Sequence, residues 1–268
     1  GIVKMKKKNL VLLLSGIVVI LVGVVISFFI KNGIPVNANG KTVKELYSYV
    51  GNSDLEKCGG LVFYNDSKVD YNSLSNDTKI CLAYTQVKKE VKEEIKLDKN
   101  KKGNICTLSK GLIFATDNYE DKICTLNKTN KDLVNENYKK IFGKEIDAYD
   151  KFQLDNITVC YLNDDSYYCG LSEEYTYTIG AEPHTYRAIK DSFKKNDEII
   201  IYDYFLKVIN NECYTSYVKD SKNDKCTKAL ENNKNVDYKF LKKYGTKYKH
   251  IFKKDNNVYH WVSSEKIN

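Results

Sequence analysis

Arginine is almost absent: Arg187 stands alone among 43 basic residues in a chain of 268. Reading base edges and gripping phosphate with two parallel hydrogen bonds both favour the planar guanidinium. The net charge of +8 therefore gives no reason to expect a nucleic-acid partner. Acidic residues are absent from positions 1–30, where Lys4, Lys6, Lys7 and Lys8 lie. Beyond them 39 bases face 35 acids, so the remainder carries only +4. Proline is confined to Pro35 and Pro183 while 42% of the residues are hydrophobic, which excludes a disordered or collagen-like chain. The length admits one or two folded domains.

Chemical signatures are missing too. There is no C-x-x-C pair for thiol redox work, and the shortest cysteine spacing, nine, has no histidine nearby to complete a zinc cluster. No G-x-S-x-G, H-E-x-x-H, glycine-rich phosphate loop or EF-hand spacing occurs. S-x-x-K occurs at Ser192/Lys195, Ser216/Lys219 and Ser263/Lys266, as often as abundant lysine produces by chance. No catalytic residue, cofactor or metal is expected.

What is present starts with residues 10–30, an uncharged run rich in Leu, Val and Ile. As a helix it would be about 31 Å long, matching a hydrocarbon core of roughly 30 Å. Lysines crowd its N-terminal side, and only Lys31 follows closely, so the positive-inside rule puts residues 1–9 in the cytoplasm and the rest outside. The expectation is a single-pass cell-membrane anchor with an extracytoplasmic C-terminal domain. The run is longer than the about 7 to 15 apolar residues of a cleaved signal peptide, although Val36-Asn37-Ala38 loosely fits a cleavage site. A buried core helix would need apolar partners all round, which the Lys-rich remainder does not offer. Gly16 and Gly23 share a helix face that would allow close packing with a second copy. Met5-Lys-Lys-Lys-Asn reads like a bacterial start, with residues 1–4 as a leading extension.

All eight cysteines, Cys58, Cys81, Cys106, Cys124, Cys160, Cys169, Cys213 and Cys226, follow the anchor. An even number on the oxidising side argues for disulfides. Around Asn163-Asp-Asp-Ser, two short strands that pair Leu162 with Tyr167 would set Cys160 opposite Cys169, within bridging distance. For the others, neighbours in sequence are the simplest partners: Cys58 with Cys81, Cys106 with Cys124, Cys213 with Cys226. Each bridge would add about 2–4 kcal/mol.

Residues 31–40 read as a linker, 41–126 as a helical outer lobe and 127–268 as an α+β lobe. Thr42-Val-Lys-Glu45 is a capping box ahead of Val43, Leu46, Tyr47 and Val50. Apolar residues at a 3.6 period suggest a helix over 75–96 and another over 131–143 capped by Thr129, with shorter helices at 185–195 and 237–244. Period-2 patterning marks a long strand through Ile200, Tyr202, Tyr204, Leu206 and Val208, turned by Asn210-Asn211, and a last hairpin around Asp255-Asn-Asn. The expected fold is α+β, helices first and an antiparallel sheet second, of a kind that NTF2-like or cystatin-like architecture would fit.

The start Met5-Lys-Lys-Lys-Asn with its anchor, Lys140-Ile-Phe-Gly-Lys144, Cys169-Gly-Leu, Asp197-Glu-Ile-Ile-Ile-Tyr-Asp-Tyr, Tyr248-Lys-His-Ile-Phe-Lys-Lys and Trp261-Val-Ser-Ser together resemble uncharacterised membrane-anchored exported proteins of low-GC Firmicutes and their relatives. The resemblance implies a bacterial surface protein and carries over no catalytic residue. Sequons at Asn65, Asn76, Asn127 and Asn156 are what so much asparagine yields by chance.

One patch invites a ligand: Glu182, His184 and the lone Arg187 around Pro183. A guanidinium fork suits a carboxylate, whether inside the protein or on a ligand. His250 and His260 fall on the two arms of the last hairpin, where they suit packing or surface roles better than a metal site. Clustered tyrosines such as Tyr167, Tyr168, Tyr175, Tyr177, Tyr202 and Tyr204 suit ordinary strands as well as stacking faces for a glycan or protein partner. The reading is a membrane-anchored extracytoplasmic binding or structural module of the bacterial cell envelope. A cell-envelope hydrolase without a recognisable motif and a membrane-anchored sensor are the alternatives.

Overall fold

The computed structural model describes residues 7–51, 57–58, 61–116, 120, 122–146, 149–174, 183–217, 221–232 and 235–267, with first-helix side chains described at 17, 18 and from 20 onward. Helix α1 (Lys7–Asn32) leads into a short strand β1 (Ile34–Pro35) and helix α2 (Lys41–Gly51). Then come β2 (Val69–Asp70), α3 (Asn76–Thr85), β3 (Glu93–Asp98), β4 (Ile105–Ser109), β5 (Leu112–Ala115) and β6 (Ile123–Asn130), which runs directly into α4 (Lys131–Phe142). Strands β7 (Lys151–Gln153), β8 (Thr158–Asn163) and β9 (Ser166–Leu171) precede a long hairpin of β10 (His184–Lys195) and β11 (Glu198–Ile209). The chain closes with β12 (Glu212–Tyr214), α5 (Asp224–Asn232), α6 (Tyr238–Tyr244) and the hairpin of β13 (Thr246–Asp255) and β14 (Val258–Ile267).

The strands form a seven-stranded sheet, β1-β10-β11-β13-β14-β2 with β12 beside β11, a five-stranded sheet, β3-β6-β9-β8-β7, and the β4–β5 hairpin; all pairings are antiparallel. The main core takes α2, α3 and α4 together with inward residues of both sheets, among them Phe152, Tyr167, Ile201, Phe205, Phe252 and Trp261. Helices α5 and α6 cover the opposite face of β11 at Tyr204, Leu206 and Val208. The β4–β5 hairpin closes a third cluster, with Phe114 against Leu126 and Val159. Mixed α+β character holds, but helices and strands interleave. Strand β6 runs across the expected division at 126/127, and β3 to β5 fall where a helical lobe was expected.

Local chemistry explains the hairpins. Asn210-Asn211 (φ 50 and 63°) and Asn256-Asn257 (φ 44 and 68°) adopt the left-handed backbone that a two-residue turn needs. Cys160 pairs with Cys169 and Leu162 with Tyr167, and the turn is tighter than expected because Asn163 pairs with Ser166. Four disulfides are present, Cys58–Cys81, Cys106–Cys124, Cys160–Cys169 and Cys213–Cys226, with Cα separations of 5.5, 6.1, 4.0 and 5.8 Å. Such bonds require an oxidising, extracytoplasmic environment.

Several helix expectations fail for identifiable reasons. Residues 185–195 are strand β10, not a helix: Tyr186 and Ile189, three apart, look like one helical face but lie opposite Leu206 and Asp203 on the two faces of the strand, and a bulge follows between Ile189 and Asp191. Helix α3 stops at Thr85 rather than Lys96, since Ile95 and Leu97 serve equally as alternate inward residues and pair with Leu126 and Cys124. The N-cap of α4 is Asn130, whose side chain accepts from Asp132 N–H at 2.7 Å, while Thr129 is buried at the end of β6. Helix α2 starts at Lys41, which places Thr42 in its first turn rather than before it.

Among the described residues no helix is long and apolar enough to cross a membrane. The side chains described in α1 begin at Ile17, a stretch shorter than the about 20 residues a span requires.

Candidate functional site

From Asp203 to Val208 strand β11 is buried on both faces, so every side chain there must be apolar or satisfied. Its inward face carries Ile199, Ile201 and Phe205, with Asp203 among them at 0% exposure. Register sets Ile201 opposite His250 on β13, and His250 opposite Ser264 on β14. His250 Nε2 lies 3.2 Å from Asp203 Oδ1, and His250 Nδ1 lies 2.7 Å from Ser264 Oγ. The phenols of Tyr47 from α2 and Tyr64 donate to Asp203 Oδ2 at 2.7 and 2.5 Å. Trp261 Nε1–H donates to Ser264 Oγ at 3.0 Å. Tyr64 stacks on Phe205 at 4.3 Å between centroids and meets His250 edge-on at 5.4 Å.

One proton arrangement satisfies every partner: Trp261 donates to Ser264, Ser264 donates to His250 Nδ1, and His250 Nε2–H donates to Asp203, which also accepts from both phenols. Burial, then the Asp203 charge, pushes the pKa of Tyr47 and Tyr64 well above the ordinary phenol value. The Arg187 guanidinium pulls the other way on both.

Ser, His and Asp in hydrogen-bond register are the side chains of a nucleophilic hydrolase, but the geometry here does other work. In the catalytic arrangement serine bonds Nε2 and aspartate bonds Nδ1, whereas here the two are exchanged. All three residues are sealed from solvent, and Ser264 Oγ already accepts from the indole. The network pins α2, the Tyr64 segment and the three central strands together.

The patch expected around Pro183 is not assembled by β10. Glu182 lies outside the described residues. His184 is exposed, and Arg187 is half-buried on the inward face, opposite Phe205. Three residues apart on a strand, they point to opposite sides. His260 does not approach His250; its Nδ1–H donates to the Lys140 carbonyl at the end of α4, at 2.8 Å. In two S-x-x-K matches strand alternation separates serine from lysine: Ser192 Oγ donates to the Val36 carbonyl, and Lys266 pairs with Asp66. In the third, Ser216 Oγ donates to the Tyr64 carbonyl, and Lys219 lies outside the described residues. Asp203, Tyr47, Tyr64 and Ser264 belong to no catalytic motif; the signal that marks them is a carboxylate in the middle of the apolar and aromatic run 199–206. Among the described residues no group of three or more His, Cys, Asp or Glu could hold a metal ion.

Facing solvent, a cleft of about 470 Å³ opens where α1 meets the seven-stranded sheet. Lys31 and Asn32 of α1 form one wall, the β10–β11 turn with Lys195, Asp197 and Glu198 another, and Ile200, Tyr202, Lys249, Ile251 and Lys253 the floor and far rim. The junction is tied rather than loose. Ile34 and Pro35 pair with Lys194 and Phe193, Val36 N–H donates to the Ser192 carbonyl at 2.9 Å, and Lys195 Nζ donates to the Lys31 carbonyl at 3.0 Å. Gly33, at φ +92°, permits the close approach: a Cβ there would lie 2.6 Å from the Lys194 carbonyl oxygen.

No family model, curated protein or solved structure matches this chain.

Proposed function

We propose that the protein is a single-pass, membrane-anchored module of the bacterial cell envelope, with a cytoplasmic N-terminus and an extracytoplasmic domain that serves binding or structure. The observation that carries this is α1. From Ile17 to Ile30 its described side chains are exposed on every face, Val18, Ile20, Val24 and Ile30 by 57 to 71%. A helix apolar all round is stable only inside protein or lipid, and along α1 the ring contact between Phe28 and Phe193 comes only near its end. The uncharged run at 10–30 supplies the length, the preceding lysines the orientation, and the disulfides the oxidising side. Resemblance to anchored exported proteins of low-GC Firmicutes agrees with that placement. The mixed α+β layout with antiparallel sheets carries no function by itself.

Single-cysteine labelling tests the topology. In intact cells a membrane-impermeant maleimide should label Lys239→Cys and leave Lys6→Cys unlabelled until the cells are broken. Equal labelling of both, or the reverse order, would overturn the proposal.

A further inference from the structure

Resting on the membrane reading above, we infer that the cleft at the α1 junction holds the phosphate-bearing headgroup of an anionic phospholipid in the outer leaflet. Four lysines line it, Lys31, Lys195, Lys249 and Lys253, against two carboxylates, Asp197 and Glu198. Lys249 is paired with Glu265 at 3.0 Å. Lys195 is bonded to a neutral carbonyl, and Glu198 stands opposite both Lys195 and Lys253 in the strand register, so three remaining lysines face two carboxylates and the excess is one positive charge. Lys31 and Lys253 make no ion pair among the described residues. The cleft is therefore a cationic recess, and its position decides which anion it meets. Lys31 follows the last apolar residue of the 10–30 run directly, so its ammonium stands at the depth of the phosphates.

The apolar features point the same way. The rings of Phe28, Phe193 and Tyr202 follow one another from α1 into the cleft, with centroids 6.1 and 5.9 Å apart. Tyrosine favours the membrane–water boundary, the two phenylalanines extend an apolar surface from it towards α1, and Ile200 and Ile251 floor the recess beside them. Ile34, 67% exposed on the adjoining strand β1, extends that apolar edge. A headgroup phosphate among the lysines, with its glycerol end along the rings, satisfies both surfaces, whereas free phosphate satisfies only the first. The tied β1 junction keeps the cleft at fixed height above the bilayer.

The test uses the full chain in phosphatidylcholine vesicles with or without phosphatidylglycerol, reading amine acylation of each lysine by mass spectrometry. Lys31, Lys195 and Lys253 should be protected severalfold by phosphatidylglycerol, with Lys139 unchanged. Lipid retained on the detergent-solubilised protein should fall about fivefold for each of Lys195→Gln and Lys253→Gln, and about 25-fold together. Equal acylation in both vesicles overturns the inference. Equal protection by inorganic phosphate in phosphatidylcholine vesicles also overturns it, in favour of a soluble-anion site. Alkaline carbonate extraction separates the two proposals. A chain that resists extraction yet ignores phosphatidylglycerol keeps its span and loses the headgroup site. A chain that is extracted but still protected keeps headgroup contact and loses the span.

Discussion

Replacing Asp203 with asparagine preserves the side-chain size and removes the charge, so it isolates what the carboxylate does. Both phenols point at Oδ2, and an amide oxygen there keeps both bonds. The amide nitrogen then faces His250 Nε2 at 3.2 Å, donor against donor, unless the ring moves its proton to Nδ1. Ser264 would then accept from His250 and from Trp261 at once, leaving its own O–H with nothing to bond. One stranded buried hydroxyl costs about 1–3 kcal/mol. Asp203→Ala removes the shared acceptor of Tyr47, Tyr64 and His250, leaving the phenols only each other at 3.4 Å and His250 Nε2–H unbonded, at about 3–5 kcal/mol. At about 2–4 °C per kcal/mol in a domain of this size, the alanine variant should melt roughly 10 °C or more below the parent, and the asparagine variant roughly 5 °C below. Trp261 is the only tryptophan, 3% exposed, with its indole N–H on Ser264. Its fluorescence in a denaturant titration of the oxidised full chain in detergent therefore reports on the network. Midpoints for both variants indistinguishable from the parent, or a smaller loss for alanine than for asparagine, would refute the assigned proton arrangement.

Gly170→Ala should lower the melting temperature by an amount equivalent to about 1–3 kcal/mol, because the new Cβ would lie 2.3 Å from Leu126 Cδ2 and 2.9 Å from Phe114 Cδ1; an unchanged thermal midpoint would count against that packing. Serine at both Cys160 and Cys169 opens a bridge spanning nine residues and should cost about 2–3 kcal/mol, read from the shift in urea midpoint. High pH should unfold the protein through its buried phenols. Tyr47 and Tyr64 stay protonated in the fold above the ordinary phenol value of 10.0, while the unfolded chain releases those protons near 10. The folded state therefore holds the extra protons, and stability that is complete below about pH 10 declines as pH rises past it. Stopped-flow phenolate absorbance should show these two tyrosines ionising only with unfolding, and fast ionisation ahead of the Trp261 signal would contradict their burial.

Features governed by near neighbours are legible in the amino-acid order. The four bridges join cysteines adjacent in sequence, the register that opposes Cys160 to Cys169 follows from strand geometry, and the turn at Asn210-Asn211 follows from the left-handed tolerance of asparagine. Strand β10 reads as a helix because Tyr186, Ile189 and Phe193 fall three and four residues apart, and only pairing with β11 puts Tyr186 and Ile189 on opposite faces. Helix α3 looks longer in sequence than it is because Ile95 continues the helical spacing of Val87 and Val91 and equally alternates with Leu97 as a strand residue, and only pairing with β6 decides between them. Grouping His184 with Arg187 assumes that closeness in sequence means a shared face, which a strand denies to residues three apart.

By itself the sequence determined the apolar run and its flanking charge and the hairpin turns, which depend on residues within a few positions of one another, and the bridges, whose cysteines are neighbours in the cysteine order at separations of 9 to 23 residues. Tertiary structure alone decided the partners of Asp203, because Tyr47, Tyr64 and His250 reach it from 156, 139 and 47 residues away. It likewise decided that Lys31 of α1 and Lys253 of β13 share one cleft. A charge on an apolar strand announces that partners must exist, and only the packed sheet and helices settle which side chains they are.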